Sequence, residues 1–210
     1  MNNQDKIDFI VGWITDYVSK MPNPAKSLVV GVSGGIDSAL TSTLASMTGL
    51  RTIALSMPIS TNHNNSSLSS THGKWLEDRF NNTTFMTIDL TSTYMEFNSL
   101  LTNSNQGSDL GFANTKSRLR MVTLYQVAAA QSGLVVGTGN KVEDFGVGFY
   151  TKYGDGGVDI SPIADLMKSE VVSMATTLGV DERILNAPPT DGLWDDDRTD
   201  EAQLGLSYDD

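Results

Sequence analysis

A run of aliphatic residues, Leu28-Val29-Val30-Gly31-Val32, leads directly into Ser33-Gly34-Gly35-Ile36-Asp37-Ser38, and an apolar stretch follows to about Met47. Adjacent glycines let a backbone turn tightly and point its N–H groups inward, while Ser33 and Ser38 add hydroxyls. A helix starting just behind them would add partial positive charge, which suits a polyanion such as a chain of phosphates. The segment lacks the Gly-Lys-Ser/Thr ending of a Walker A loop, and no GxGxxG fingerprint is present. A bare Gly-Gly would be explained by turn geometry alone. The ordered Ser, Asp and Ser after a strand favour phosphate binding.

A second group of chemically capable residues lies downstream. Thr138 and Glu143 follow the short run Leu134-Val135-Val136, so Asp37 and Glu143 would rise from two different strand ends. Two such carboxylates can share a Mg²⁺ ion that bridges phosphate oxygens. Glu143 alone would otherwise be a solvated acid at a helix start. Lys168 stands where a helix begins and the dipole disfavours a cation, a conflict that a bound phosphate would relieve. Thr190 offers a hydroxyl within an acidic loop, or is a plain turn residue. Lys116, Arg118 and Arg120 sit close together, and a guanidinium offers a planar fork suited to phosphate or carboxylate. Phe149, Tyr150 and Tyr153 could stack on a ligand ring or pack in the interior. His63 and His72 have no metal-ligand spacing, which leaves them a structural or solvent role.

Composition limits the field. At 210 residues, with 39% hydrophobic and 19% charged side chains, the chain is expected to be one globular domain, 1–210. A net charge of −11 argues against general nucleic-acid binding, which needs a basic stripe. It also requires that any phosphate site gather a few local cations, amides or a metal. No apolar run approaches the length of a membrane-spanning helix, and no secretory signal is visible. The absence of cysteine removes disulfides and thiolate chemistry and fits a cytoplasmic location.

The elements that must hold these residues can be traced. Helical spacing of Ile7, Ile10, Val11, Ile14 and Val18 predicts an opening helix over 2–20. Strands are expected at 28–32, 52–57, 85–90 and 134–136, and helices at 36–47, 74–80, 114–131 and 163–178. The polar stretch 60–73 reads as a loop or a frayed helix start, and the acidic 187–200 region as a loop. Strands alternating with helices predict an α/β fold, a mostly parallel five-stranded sheet with helices on both faces. Ligands in such sheets gather at the carboxyl ends of the strands.

The Ser33–Ser38 element resembles the SGGxDS loop of the N-type ATP pyrophosphatases, the adenine nucleotide alpha-hydrolase-like, Rossmann-like superfamily that includes GMP, asparagine and NAD synthetases. The block from Gly137-Thr-Gly-Asn-Lys-Val-Glu-Asp144 to Phe149-Tyr-Thr-Lys-Tyr-Gly-Asp-Gly-Gly-Val-Asp159 resembles the signature of the NAD synthetase family. Asn114-Thr-Lys-Ser-Arg-Leu-Arg-Met121 upstream, and Asp165-Leu-Met-Lys168, Pro189-Thr190 and Leu204–Asp209 downstream, follow in the family's order. The likeness spans the whole chain, whose C-terminal segment is short relative to many members.

The resemblance implies conversion of deamido-NAD, ATP and ammonia into NAD, AMP and pyrophosphate through an acyl-adenylate. It implies ATP contacts at Gly31, Ser33, Gly34, Gly35, Asp37, Ser38, Thr138, Lys168 and Thr190, with Mg²⁺ on Asp37 and Glu143. Asn114, Arg118, Tyr125, Phe149, Lys152 and Asp159 are expected to hold deamido-NAD. Asp37 and Lys168 are the expected catalytic groups, with Asp155 orienting or deprotonating ammonia. A homodimer is implied, with the dinucleotide site across its interface. No nitrilase-like glutaminase region is recognisable, which implies either free ammonia as the nitrogen source or a separate partner that supplies it. Two alternatives stay open: a related ATP pyrophosphatase that amidates or thiolates another acid, and a non-catalytic nucleotide sensor with the same fold.

Overall fold

A computed structural model describes residues 1–59, 67–188, 190, 192–194, 202–203 and 205. Helix α1 (Asn3–Ser19) begins at a reciprocal cap: the Asn2 side chain accepts from Asp5 N–H, and the Asp5 carboxylate accepts from Asn2 N–H. Its buried side is Ile7, Ile10, Ile14 and Val18, the face set by helical spacing. Strand β1 (Ser27–Gly31) follows, then α2 (Ile36–Met47), β2 (Thr52–Ser56), α3 (Ser67–Arg79), β3 (Thr83–Thr87), α4 (Thr91–Asn103), α5 (Asp109–Ala130) and β4 (Gly133–Val136). A π-helical segment, Lys141–Val147, precedes α6 (Lys168–Leu178) and the short α7 (Glu182–Leu185).

The sheet is parallel throughout, in the order β3-β2-β1-β4. Leu28, Val29 and Val30 are fully buried, as a strand covered on both faces requires. On one face α1, α2, α6 and α7 close over Leu28, Val30 and Val136. Toward the β2–β3 side, α3 adds Leu76 and Trp75 against Ala54 and Val32. On the other face α5 covers Val29, Ile53 and Val135. Each fully buried aliphatic side chain contributes roughly 1.5–3 kcal/mol, so these layers fix the strand ends firmly.

Four strands stand where five were expected. Ile160 makes an isolated parallel bridge to Val136, and no longer ladder forms there among the described residues. Pro162 and the turn through Asp165 follow at once, and proline brings no N–H with which to extend a ladder. That same turn delays α6, so the helix expected over 163–178 begins at Lys168. The third strand is Thr83–Thr87, not 85–90, and α3 starts at Ser67 rather than Lys74. Helix α5 begins five residues before the expected position, behind an Ser108 cap whose Oγ accepts from Gly111 N–H. Helix α4 had no counterpart in the sequence reading. His63, Pro189, Asn64–Ser66 and most of Leu204–Asp209 lie outside the described residues.

The topology places the site. From β1 the chain winds one way through β2 and β3, then returns to put β4 on the other side of β1. Between the carboxyl ends of β1 and β4 the strand order reverses, and in open α/β sheets a crevice opens at such a point.

Candidate active site

The turn from β1 into α2 is shaped by Gly34, whose φ of +93° is a left-handed conformation that side chains rarely adopt. A Cβ there would also lie 3.1 Å from Ser69 N on α3, so the loop lies tight against the next helix. Within the turn the Ser33 and Ser38 hydroxyls lie 3.1 Å apart, and Ser33 Oγ accepts from Gly35 N–H at 3.1 Å. Ser38 Oγ donates to Gly35 O and accepts from Ser33 N–H. The hydroxyls thus pre-form a loop at the start of α2, with the helix dipole behind it.

Across the crevice, β4 runs into Gly137-Thr138-Gly139-Asn140. Asn140 is completely buried, and its Oδ1 accepts from Val142 N–H and Glu143 N–H, capping the π-helical turn that carries Glu143. Its Nδ2 donates to Asp37 Oδ1 at 3.2 Å. From α6, Lys168 Nζ reaches Asp37 Oδ2 at 2.6 Å and Glu143 Oε1 at 2.9 Å. Three elements therefore deliver one cation and two carboxylates to one point, all with less than a fifth of the side chain exposed.

Burial raises the Asp37 carboxyl, and the nearby charge of Glu143 adds to it; Lys168 pulls the other way without cancelling them. Burial alone would lower Lys168, but the charges and hydrogen bonds of Asp37 and Glu143 outweigh it and hold the lysine protonated. A neighbouring carboxylate, Asp144, is pushed up to about 7 by burial and by the charges of Asp155, Glu143 and Asp37. The crevice is thus rich in negative charge that wants a cation.

Two of these carboxylates could share a divalent cation such as Mg²⁺. No three carboxylate or imidazole groups gather closely enough to hold a metal by themselves among the described residues. Mg²⁺, however, is usually bound by one or two carboxylates completed by substrate phosphates, and Asp37 and Glu143 already converge on a single cationic nitrogen. The donor set fits a metal that arrives with ATP.

A second cluster lies on α5 and the turn after the π-helical segment. Asp155 Oδ1 accepts from Ser117 Oγ at 2.6 Å and from Thr151 N–H at 3.0 Å. Thr151 Oγ1 donates to Asn114 Oδ1 at 2.7 Å. The exposed Arg118 donates from Nε to Lys152 O. Tyr125 OH donates to Asp159 Oδ1, while Asp159 Oδ2 accepts from Val135 N–H. Burial, the hydrogen bond and the Asp159 charge push the Tyr125 hydroxyl up to about 12. Phe149 is half-buried; Tyr150 and Tyr153 are exposed, so neither of these tyrosines packs in the interior.

The structure therefore unites Asp37, Glu143 and Lys168 beside Ser33, Gly34, Gly35 and Ser38, with half-buried Thr138 on the β4 side and Gly31 ending β1. Asn114, Arg118, Lys152 and Asp155 form the second cluster, with Tyr125 paired to Asp159. Thr190 is exposed and accepts from Gly192 N–H. Of the basic trio only Arg118 is exposed: Lys116 is buried over the Tyr94 ring, and Arg120 donates to Met57 O. His72 is structural, fully buried and 3.0 Å from Ser42 Oγ. Sequence reasoning missed Asn140, Ser117 and Asp144. An Asn followed three residues later by Glu, shortly after a strand, is a cap signal that could have revealed Asn140. Ser117 and Asp144 stand inside the family-like blocks but carry no local signal of their own.

The chain is similar in sequence and in fold to known proteins. An ammonia-dependent NAD⁺ synthetase from Mesoplasma florum is 38% identical over 213 residues, covering all of this chain and 83% of that protein. An NMN synthetase structure from Francisella tularensis superposes with a TM-score of 0.88 at 33% identity, over all of this chain and 84% of its own. An NH₃-dependent NAD synthetase from Campylobacter jejuni gives a TM-score of 0.76 at 29% identity, over 88% of this chain and 77% of its own. The NAD synthase family model matches residues 6–210. With the Ser33–Ser38 loop, the Asp37–Lys168–Glu143 cluster and the Asp155 turn all falling inside that match, the chain belongs to the NAD synthase family.

Proposed function

We propose that the protein joins ammonia to the nicotinate carboxylate of deamido-NAD, converting ATP to AMP and pyrophosphate. The observation that carries this reading is the convergence of Lys168, Asp37 and Glu143 at the switch crevice beside a pre-formed phosphate loop. A carboxylate oxygen of the nicotinate attacks the α-phosphorus in line, and the bond from that phosphorus to the β-phosphate oxygen breaks. Pyrophosphate leaves over the loop amides of Gly34 and Gly35 and the hydroxyls of Ser33 and Ser38. Lys168 offsets its charge, Thr190 offers it a hydroxyl, and Gly31 and Thr138 line the nucleotide. Mg²⁺ held by Asp37 and Glu143 supplies further neutralisation of phosphate oxygens when bound.

In the second step ammonia attacks the acyl carbon and AMP departs with the former carboxylate oxygen. Asp155 orients the nitrogen and takes its surplus proton. Asn114, Arg118, Tyr125, Phe149, Lys152 and Asp159 hold the dinucleotide, in a site completed across a homodimer interface. The protein's contribution is position and fixed charge rather than covalent chemistry.

The test is formation of AMP, pyrophosphate and NAD in one-to-one-to-one proportion, dependent on deamido-NAD, Mg²⁺ and ammonia together. Turnover indifferent to deamido-NAD would sink the reading. One observation favours a second substrate: the NMN synthetase matches the whole chain at a higher TM-score than the NAD synthetase does. Nicotinate mononucleotide offers the same carboxylate on a smaller molecule. Comparing kcat/KM for the mononucleotide and the dinucleotide under identical conditions decides between them.

A further inference from the structure

Ser117 lies midway along α5, only 4% exposed, and nothing about its place in a helix requires a hydroxyl. Yet it makes a reciprocal pair with Asp155. Its Oγ donates to Asp155 Oδ1 at 2.6 Å and accepts from Asp155 N–H at 2.8 Å. Thr151 N–H donates to that same Oδ1 at 3.0 Å. Both donors fall on one carboxylate oxygen, and Oδ2 carries no hydrogen bond among the described residues.

The turn is shaped to allow this. Gly154 stands directly against the serine, and a methyl group there would collide with Ser117 Oγ. Tyr153, just before it, adopts a φ of +61°, a conformation a bulky residue seldom takes. Reciprocal hydrogen bonds to a buried anchor are the kind of support that keeps such a turn in place. The exposed Asp155 also lies near enough to Asp144, the neighbour of Glu143, for its charge to raise that carboxyl.

We propose that Ser117 is a positioning residue for the amidation step: it locks one oxygen of Asp155 so that Oδ2 faces the incoming ammonia. This rests on the assignment of Asp155 given above. Hydrogen bonds to an ionised group are among the stronger ones, and a carboxylate free to rotate would present ammonia with the wrong oxygen for much of the time. The adenylation step, carried out at Asp37 and Lys168, does not use this contact.

The experiment separates the two half-reactions in Ser117→Ala. Exchange of labelled pyrophosphate into ATP, with deamido-NAD and Mg²⁺ but no ammonia, reads adenylation. Steady-state NAD formation against ammonia concentration reads amidation. The expected result is an increase in KM for ammonia of roughly tenfold or more, with exchange changed by less than about twofold. An unchanged KM for ammonia overturns the proposal. So does an equal fall in exchange and amidation, because a merely structural serine would weaken both. If the alanine variant does not fold, Ser117→Cys, which fills the space with a weaker donor, is read by the same two outcomes. Wild-type protein that shows no deamido-NAD-dependent exchange would instead overturn the functional assignment itself.

Discussion

Asn140 donates to Asp37 across the switch crevice while its own oxygen caps the turn that carries Glu143. One buried amide thus links two carboxylates carried by different helical elements, Asp37 on α2 and Glu143 on the π-helical segment. Asn140→Ala removes a cap and a hydrogen bond to a charged group, and the expected loss of stability is about 2 kcal/mol. Denaturant unfolding measures it. Turnover should fall by at least roughly tenfold in protein that remains folded, because both carboxylates lose their register. A variant with wild-type kcat would show that the amide has no share in organising the site.

Lys168→Met leaves Asp37 and Glu143 facing each other without their shared cation. Breaking a buried ion pair from one side costs on the order of 3 kcal/mol at neutral pH. The folded variant then favours protonation of one carboxyl more than the unfolded chain does, so its stability recovers as pH falls. The gap to wild type should therefore narrow between pH 7 and pH 5 in paired unfolding curves. A constant gap would mean that the cluster's charge balance is not what the lysine supplies.

His72 should give the wild-type protein its own acid sensitivity, because burial pushes its imidazole down to about 4 from the ordinary 6.5. The unfolded chain takes up this proton near 6.5 and the folded chain only near 4, so stability falls as pH drops through that window. The loss amounts to on the order of 3 kcal/mol when complete. His72→Gln should flatten the dependence between pH 7 and 5, whatever its effect on stability at pH 7. An unaltered slope would assign the acid sensitivity to other groups.

Gly34 and Gly35 should respond differently to alanine. At Gly34 the new Cβ meets Leu68 and Ser69 at 3.0–3.1 Å in a left-handed backbone. A loss of about 2 kcal/mol and of ATP binding is expected, read by unfolding and by calorimetric titration with ATP. At Gly35 the nearest atom is the flexible Ser33 Oγ, 3.4 Å away, and φ is −84°. There the stability cost should stay at about 1 kcal/mol or less, mostly from the poorer helix cap. Equal effects at both positions would remove the conformational explanation.

Much of the fold and the outline of the candidate site are legible in the sequence. The Ser33–Ser38 loop stands out because a hydrophobic strand, two glycines and a helix start follow one another within a dozen residues. Asp37, Glu143 and Lys168 could be nominated because each occupies an element end, where side chains reach ligands. Elements whose periodicity is weak were lost. Helix α4 is rich in Ser, Thr and Asn and buries none of its residues fully, so it leaves no strong apolar stripe. The start of α3 hides in a Ser- and His-containing stretch whose helicity depends on His72 and Leu76 entering the interior. The π-helical turn at Lys141–Val147 obeys no 3.6-residue pattern. Contacts between distant segments, such as Ser117 with Asp155, are set by how α5 lies on the sheet, which local spacing does not encode.

The reversal of strand order has a consequence for how the molecule comes into being. Asp37 and Asn140 are 103 positions apart, and Lys168 is 131 positions from Asp37. As the ribosome extends the chain from its N-terminus, the phosphate loop emerges well before the residues that complete it. The cluster of Asp37, Glu143 and Lys168 can therefore close only after synthesis has passed Lys168, and any step that needs all three groups would have to wait for it.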